Sequence, residues 1–247
     1  MPYDAFAEYY DLLIDNVDYG KMADYYSTIL SNHGINGGIL LDLGCGTGTL
    51  SAMFSLRGFD VIGVDPSVGM LTKAREKTCG LSNPVLLLEQ SGENLDLFGT
   101  VICCVSSLDT INHIEGKEKL QKTFDNVSLF TESGGLFVFD VNTIYKHKHI
   151  LSDNCFAFET EDVFCVWQNS FNSDDNSVDI NLDFFISRDD GFYDRFSDYF
   201  VEYAYDFDEI ISMLKKSGFK NIEIYNSMAF NKPAEDCERA VFVCEKG

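Results

Sequence analysis

Ile39-Leu40-Leu41-Asp42-Leu43 runs straight into Gly44-Cys45-Gly46-Thr47-Gly48. An apolar run of this length with one acid is the pattern of a strand buried on both faces, and such strands need helices to cover them. The first half of the chain repeats that arrangement. A helical stretch leads to Leu56, Val61-Ile62-Gly63-Val64-Asp65 is a second buried run, and Pro66-Ser67 opens a helix through Met70, Leu71, Ala74 and Lys77. Residues 85–88 and 101–106 are further short strands, 117–130 a helix, and Gly134-Gly135 turns into a fifth strand at 136–141. Strands alternating with helices across short turns predict a doubly wound, parallel α/β sheet.

After Asn142 the periodicity changes. Apolar residues alternate with period two through Phe164 and Val166, through Val178, Ile180 and Leu182, and through Phe196, Tyr199, Val201 and Tyr203. Breakers fall at 172–176 and 189–191. This predicts an antiparallel meander of three or four strands beside the main sheet. A helix over 207–217, stopped by Gly218, and closing strands at 220–225 and 240–244 follow. The aromatic-rich start reads as two short helices broken near 16–19. The expected organisation is one domain over 1–247: a helical lid (1–33), a core (34–145 and 206–247) and an antiparallel β insertion (150–205) on the acceptor side.

The 247 residues carry 40 acids against 18 bases, a net charge of −22. That excludes an electrostatically driven nucleic-acid binder and disfavours adhesion to an anionic membrane. No apolar run approaches the roughly 20 residues of a membrane span, and Met1-Pro2-Tyr3-Asp4 lacks a signal-peptide layout, so a cytoplasmic protein is expected. None of the eight cysteines forms a C-x-x-C pair and several sit in apolar runs, which predicts reduced thiols with no disulfide framework and no metal site. His147 and His149, among Lys146 and Lys148, read as an exposed connection.

A strand, glycine loop and helix in succession bring backbone N–H groups and a helix N-terminus against a ligand. The spacing here is G-x-G-x-G, through Gly44, Gly46 and Gly48. The third glycine of a dinucleotide fingerprint would fall at Thr49, and no Lys-Ser/Thr pair follows as in a P-loop. A tight strand-to-helix turn is the purely structural alternative. Asp65 tips the balance, because in a right-handed β-α-β unit the end of the second strand lies beside the loop, where a carboxylate can accept both hydroxyls of a ribose. Asp109 and His113 fall at the same edge, just past the fourth strand. Acceptor binding or proton removal is their functional reading; a helix cap for Asp109 and a surface position for His113 are the structural one. Cys103-Cys104 reads as core packing.

The run from Leu40 to Gly48, followed by Val61-Ile62-Gly63-Val64-Asp65-Pro66-Ser67-x-x-Met70-Leu71-x-x-Ala74, resembles the first two motifs of class I S-adenosylmethionine-dependent methyltransferases. The whole chain is similar to small bacterial methyltransferases that open with Tyr-x-x-Phe-Ala-x-x-Tyr-Asp, here Tyr3, Phe6, Ala7, Tyr10 and Asp11. They carry a short motif after the fourth strand, here Asp109-Thr110-Ile111-Asn112-His113, and a Glu-Arg pair before the last strand, here Glu238-Arg239. The resemblance implies a Rossmann-like seven-stranded sheet, mostly parallel with the last strand antiparallel. It implies S-adenosylmethionine as cofactor, S-adenosylhomocysteine as product and no metal. It places Gly44, Cys45 and Gly46 at the methionine and ribose end, Asp65 on the ribose hydroxyls, Met70 on the adenine face and Tyr10 on the cofactor side; Asp42, Gly48 and Pro66 are expected among the cofactor-binding residues, and Ser107 is expected to flank the methionine end.

Two departures stand out. The third-strand motif usually ends in Gln-Asp, whose Asp accepts from the adenine amino group; here Gln90-Ser91-Gly92 puts an uncharged hydroxyl there, so weaker adenine anchoring is expected, with the Gly92 N–H still able to serve the ring. A Glu-x-His-x-Gln-Arg-x-Tyr pattern of the insertion is reduced to Asp198 and Tyr205. The expected reaction is in-line methyl transfer to a small molecule, an amine before an oxygen, by a monomer or homodimer, with Asp109 and His113 on the acceptor side. The competing expectation is a non-catalytic module that binds S-adenosylmethionine to sense it or to scaffold a partner.

Overall fold

The computed structural model describes residues 17–247. Its centre is β1 (Gly38–Leu43), paired in parallel with β2 (Phe59–Asp65) on one side and β4 (Val101–Ser106) on the other. Leu40, Leu41, Cys103 and Cys104 are fully buried there, as continuous apolar runs require. The sheet extends through β3 (Leu86–Glu89) at one edge and through β5 (Thr131–Asn142), β11 (Arg239–Lys246) and β10 (Phe219–Asn226) at the other, in the order β10-β11-β5-β4-β1-β2-β3. β11 is antiparallel to both of its neighbours, so it alone runs against the sheet, as the resemblance implied.

Helices α1 (Tyr19–Asn32), α2 (Thr49–Leu56), α3 (Val68–Thr78), α4 (Gly116–Phe130) and α5 (Phe207–Lys216) accompany it. The predicted break near 16–19 matches the start of α1, where the Asp18 carboxylate caps the Lys21 N–H; the first expected helix lies outside the described residues. One apolar layer joins Tyr26, Ile29 and Leu30 of α1 and Leu50 and Phe54 of α2 to Leu40, Val61, Val105 and Val138. The other joins Leu120, Phe124 and Val127 of α4 and Ile210 and Leu214 of α5 to Leu41, Phe137, Phe139 and Phe242. The described part of the expected lid, α1, is thus a core layer, and of its residues Tyr19 reaches the cavity described below.

The insertion is a separate four-stranded antiparallel sheet of β6 (Cys155–Glu159), β7 (Val163–Asn172), β8 (Ser177–Ser187) and β9 (Tyr193–Tyr203), reached through a π-helical turn at Lys146–Leu151. The face expected for β8 is correct, with Val178, Ile180, Leu182 and Phe184 buried. Apart from Phe196, the expectation was out of phase elsewhere. Val163 and Cys165, not Phe164 and Val166, are buried on β7, and β9 turns Phe196, Asp198, Phe200 and Glu202 toward β8's inner residues while Tyr199 stays exposed. Aromatic residues on both faces defeat a period-two reading.

Candidate active site

The carboxyl ends of β1, β2 and β4 surround a cavity of about 420 Å³, within the 300–1,000 Å³ typical of small-molecule sites. Asp42, Gly44, Cys45, Gly46, Asp65, Pro66, Met70, Ser91, Gly92, Ser107 and His113 all line it. Sequence reasoning missed Tyr19, Leu43, Thr47, Leu50, Glu93, Thr110 and Ile114, which also line it; their signal is only their neighbourhood to the motif residues. Tyr10 lies outside the described residues.

Glycine is required at Gly44, where φ is 74° and a Cβ would stand 2.3 Å from the Thr110 side chain of the turn after β4. The loop does not offer its amides freely to a ligand, contrary to the expectation. Gly44 and Cys45 N–H donate to Val64 O (2.8 and 3.0 Å), Gly48 N–H to Cys45 O (2.9 Å), and Gly46 N–H to Asp65 Oδ2 (2.9 Å). The loop supplies shape and clearance instead. Gly48 is a correction: it is absent from the cavity lining, adopts a left-handed conformation before α2, and a Cβ there would meet Ala74 of α3 at 2.8 Å. Its role is helix packing.

Asp65 is buried at the end of β2, and its Oδ1 accepts the Ser67 N–H at 2.8 Å. Each of its oxygens has accepting capacity beyond these bonds. Burial raises its pKa, opposed by the hydrogen bonds from Ser67 and Gly46. Asp42 is fully buried; desolvation pushes its pKa to about 6, against the hydrogen bond from Ser51 Oγ and with a further push from Asp65. At the far end, Ser91 Oγ accepts from Asn94 Nδ2 (3.1 Å), and Gln90 is tied to the Asp96 backbone through both ends of its amide. Met70 belongs to the apolar cluster of the β insertion, with Val178, Ile180 and Phe184, so the inserted sheet packs over this side of the cavity.

Beyond Ser107 the chain turns through two consecutive left-handed residues, Leu108 (φ 53°) and Asp109 (φ 61°). Such strain persists only where the surroundings over-determine it, and Asp140 does so. Its Oδ2 accepts the Leu108 N–H and the Tyr26 hydroxyl (both 2.9 Å), and its Oδ1 accepts the Asp109 N–H (2.9 Å) and Arg239 Nη1 (2.7 Å). Asp109 makes no side-chain cap to the turn that follows. It sits a step behind the cavity wall, its Oδ2 accepting from Asn142 Nδ2 (3.0 Å) with Arg239 Nη2 at 3.4 Å. Asn112 is fully buried and structural, bonded to the Asn142 backbone and to Tyr203 O. His113 stacks edge-on against Phe200 of β9, with ring centroids 5.2 Å apart.

The expectation that His147 lies in an exposed connection is also corrected. His147 is fully buried, its Nδ1 bonds to Asn176 O (2.8 Å), and its Nε2 stands 3.4 Å from Glu202 Oε2, while His149 is exposed. Glu202 is buried, and Asn142 Nδ2 donates to it at 2.8 Å. Burial pushes Glu202 up, but His147, His113 and Asn142 together hold its pKa below the ordinary carboxylate range. All eight cysteines are free thiols, and among the described residues no helix is long and apolar enough to cross a membrane.

The comparisons with known proteins agree with this geometry. A methyltransferase-domain family model matches residues 40–135. A Geobacillus sp. protein named as a methyltransferase is 31% identical over 100% of both chains. The crystal structure of an S-adenosylmethionine-dependent methyltransferase from Clostridium acetobutylicum superposes with a TM-score of 0.89 at 32% identity, covering 99% of each chain. At 17% identity, the S-adenosylmethionine-bound amino pentose methyltransferase CalS10 of Micromonospora echinaspora shares the fold, with a TM-score of 0.74 and 94% and 92% of the two chains covered. With the sheet order, the glycine loop and the Asp65 position, these similarities establish that the chain belongs to the class I S-adenosylmethionine-dependent methyltransferases.

Proposed function

We propose that the protein transfers the methyl group of S-adenosylmethionine to a small-molecule acceptor, with an amine as the first class and an oxygen nucleophile as the second. One observation carries this reading: a single cavity connects the glycine loop and Asp65 to Ser107 and His113. A ligand anchored at Asp65 therefore has room to extend toward the polar groups past β4. The residues fit the cofactor. Asp65 would take the ribose hydroxyls, Met70 the adenine face, and Gly44, Cys45, Gly46, Asp42 and Ser107 would surround the methionine end. Ser91 and Gly92 would edge the adenine, with Pro66 beside the ribose.

When bound, the cofactor supplies an electrophilic methyl group on a sulfonium, with a neutral thioether as leaving group. The protein's share is orientation and exclusion of water, and alignment of this kind is worth roughly 7–11 kcal/mol. His113 lies on the cavity wall, where it can accept a proton from the acceptor, and Asp109 stands behind it to orient that acceptor. The β insertion would close the acceptor side. The amine is favoured by the net charge of −22, by Asp109 and Glu202 at the acceptor end, and by the amino sugar that CalS10 is named for. The test is S-adenosylhomocysteine release with a panel of amines and matched alcohols. Turnover favouring amines is expected. Tight S-adenosylhomocysteine binding without turnover of either class would return the non-catalytic reading.

A further inference from the structure

Leu108 and Asp109 follow one another in the left-handed region, at φ 53° and 61°. An aspartate tolerates that conformation; a leucine is rarely found in it, and glycine would enter it freely. Leu108 nevertheless belongs here by its contacts, because it packs on the apolar layer of α1 and α2 and lines the cavity. The turn is joined directly to both halves of the site. On the cofactor side, Thr110 Oγ1 donates to Ser107 O at 2.9 Å, and the Thr110 side chain fills the space that the missing Cβ of Gly44 leaves. On the acceptor side, Asp109 O accepts the N–H groups of Asn112 (2.7 Å) and His113 (3.3 Å), and so starts the 3-10 turn Thr110–His113 that brings His113 to the cavity wall. A shift at 108–109 would therefore press Thr110 on the glycine loop and carry His113 along the wall.

Asp140 holds this turn, and its four bonds are not interchangeable. Oδ1 faces the Asp109 N–H and Arg239, a cation that only donates. Arg239, held there, reaches Asp109 Oδ2 with Nη2 at 3.4 Å, so both the backbone and the carboxylate of Asp109 answer to Asp140. Oδ2 faces the Leu108 N–H and the Tyr26 hydroxyl, which can donate or accept. An asparagine at this position has a single oxygen. The guanidinium claims it, so the amide NH2 turns to Tyr26, whose hydroxyl can accept from it. The Leu108 N–H is then left facing another donor. Of the four bonds, the asparagine substitution removes the one that holds the leucine.

We propose that Asp140 is a positioning residue of the methyl-transfer site: it holds Leu108 and Asp109 in the left-handed turn that sets Thr110 against the glycine loop and His113 on the acceptor side. This rests on the methyl-transfer reading and adds to it the group that keeps the two halves of the site in register. Asp140 is buried and absent from the cavity lining, so it acts through the turn and not on a ligand. A turn that is correctly formed only part of the time lowers the apparent affinity by that fraction.

The test uses the full chain and S-adenosylhomocysteine. In the unmodified protein the Leu108 and Asp109 amides should exchange with deuterium at least about a hundredfold more slowly than in a free peptide. Asp140→Asn should speed exchange at Leu108 and weaken S-adenosylhomocysteine binding at least about tenfold by calorimetry. Leu108→Gly separates positioning from general damage, because glycine enters the left-handed region without being held. Alone it should weaken binding through the lost contacts of the leucine; in the Asp140→Asn background it should raise affinity about threefold or more. A change under about threefold in Asp140→Asn, or a Leu108→Gly that weakens binding by the same factor in both backgrounds, would overturn the proposal. Unprotected amides at 108 and 109 in the unmodified protein would overturn it as well, whether or not Asp140→Asn folds. Failure of the unmodified protein to bind S-adenosylhomocysteine would instead refute the methyl-transfer reading, and this proposal with it.

Discussion

Asp42 offers the sharpest physical test of the cavity. It is fully buried, accepts a hydrogen bond from Ser51, and has a pKa of about 6 against an ordinary value of 3.8, chiefly because burial penalises its charge. A shift of about two units at 1.36 kcal/mol each means that ionised Asp42 costs the ligand-free protein about 3 kcal/mol. The sign follows from proton counting. Between about pH 4 and 6 the folded state holds a proton on Asp42 that the unfolded state has already lost, so this group's contribution to stability falls as pH rises and is flat above about 6. Asp42→Asn removes the titration but keeps an oxygen for Ser51. The variant should therefore match the unmodified protein below about pH 4 and exceed it by about 3 kcal/mol near pH 7, in urea unfolding of the ligand-free chain. Carboxylates away from Asp42 titrate in both proteins and cancel in the difference. The same charge should serve binding. A cation-bearing ligand favours the ionised carboxylate, so S-adenosylmethionine affinity should rise with pH up to about 6, with proton release visible when calorimetry is repeated in buffers of different ionisation enthalpy. Asp42→Asn should bind it more weakly although it is more stable. A stability difference that stays constant from about pH 4 to 7 would refute the reasoning.

Asp65→Ala should cost roughly 1–3 kcal/mol of S-adenosylhomocysteine affinity by calorimetry in a folded protein, and unchanged affinity would remove Asp65 from the ribose site. Gly48→Ala forces a Cβ to 2.8 Å from Ala74 at a φ of 77°, and should destabilise the fold by roughly 1–3 kcal/mol in urea. Gly46→Ala points into open space, and should cost less stability than Gly48→Ala but proportionately more S-adenosylhomocysteine affinity. Asp109→Asn keeps the acceptor for Asn142 and should lower turnover about 10²-fold with cofactor affinity preserved; near-normal rates would reduce Asp109 to a structural residue.

The parts of this protein legible in its sequence are those whose physics is local. β1 and β2 are continuous apolar runs because both faces are covered, and the loop between β1 and α2 announces itself because Gly44 and Gly48 answer to crowding by Thr110 and Ala74. Asp65 could be placed because a right-handed crossover leaves little choice about where the end of β2 must lie. Asp140 gave no such signal. It is one acid within an apolar strand, like Asp42, yet it takes four hydrogen bonds from Tyr26, Leu108, Asp109 and Arg239, which meet only in the folded chain. His147 looked exposed because its neighbours in sequence are Lys146 and Lys148, whereas its neighbours in space are Asn176 and Glu202.

Glu202 is the instructive case. It sits between Val201 and Tyr203, where an alternating pattern assigns the acid to solvent and the apolar residues to the core. The register of β9 on β8 reverses that assignment by setting Glu202 opposite buried Val178. Burying a carboxylate is expensive unless partners are waiting for it, and here Asn142 from the end of β5 and His147 from the π-helical turn are those partners. That the insertion turns a carboxylate inward means that Glu202 fixes β9 to the end of β5 and to the π-helical turn through polar bonds, which demand a defined geometry that apolar contact would not.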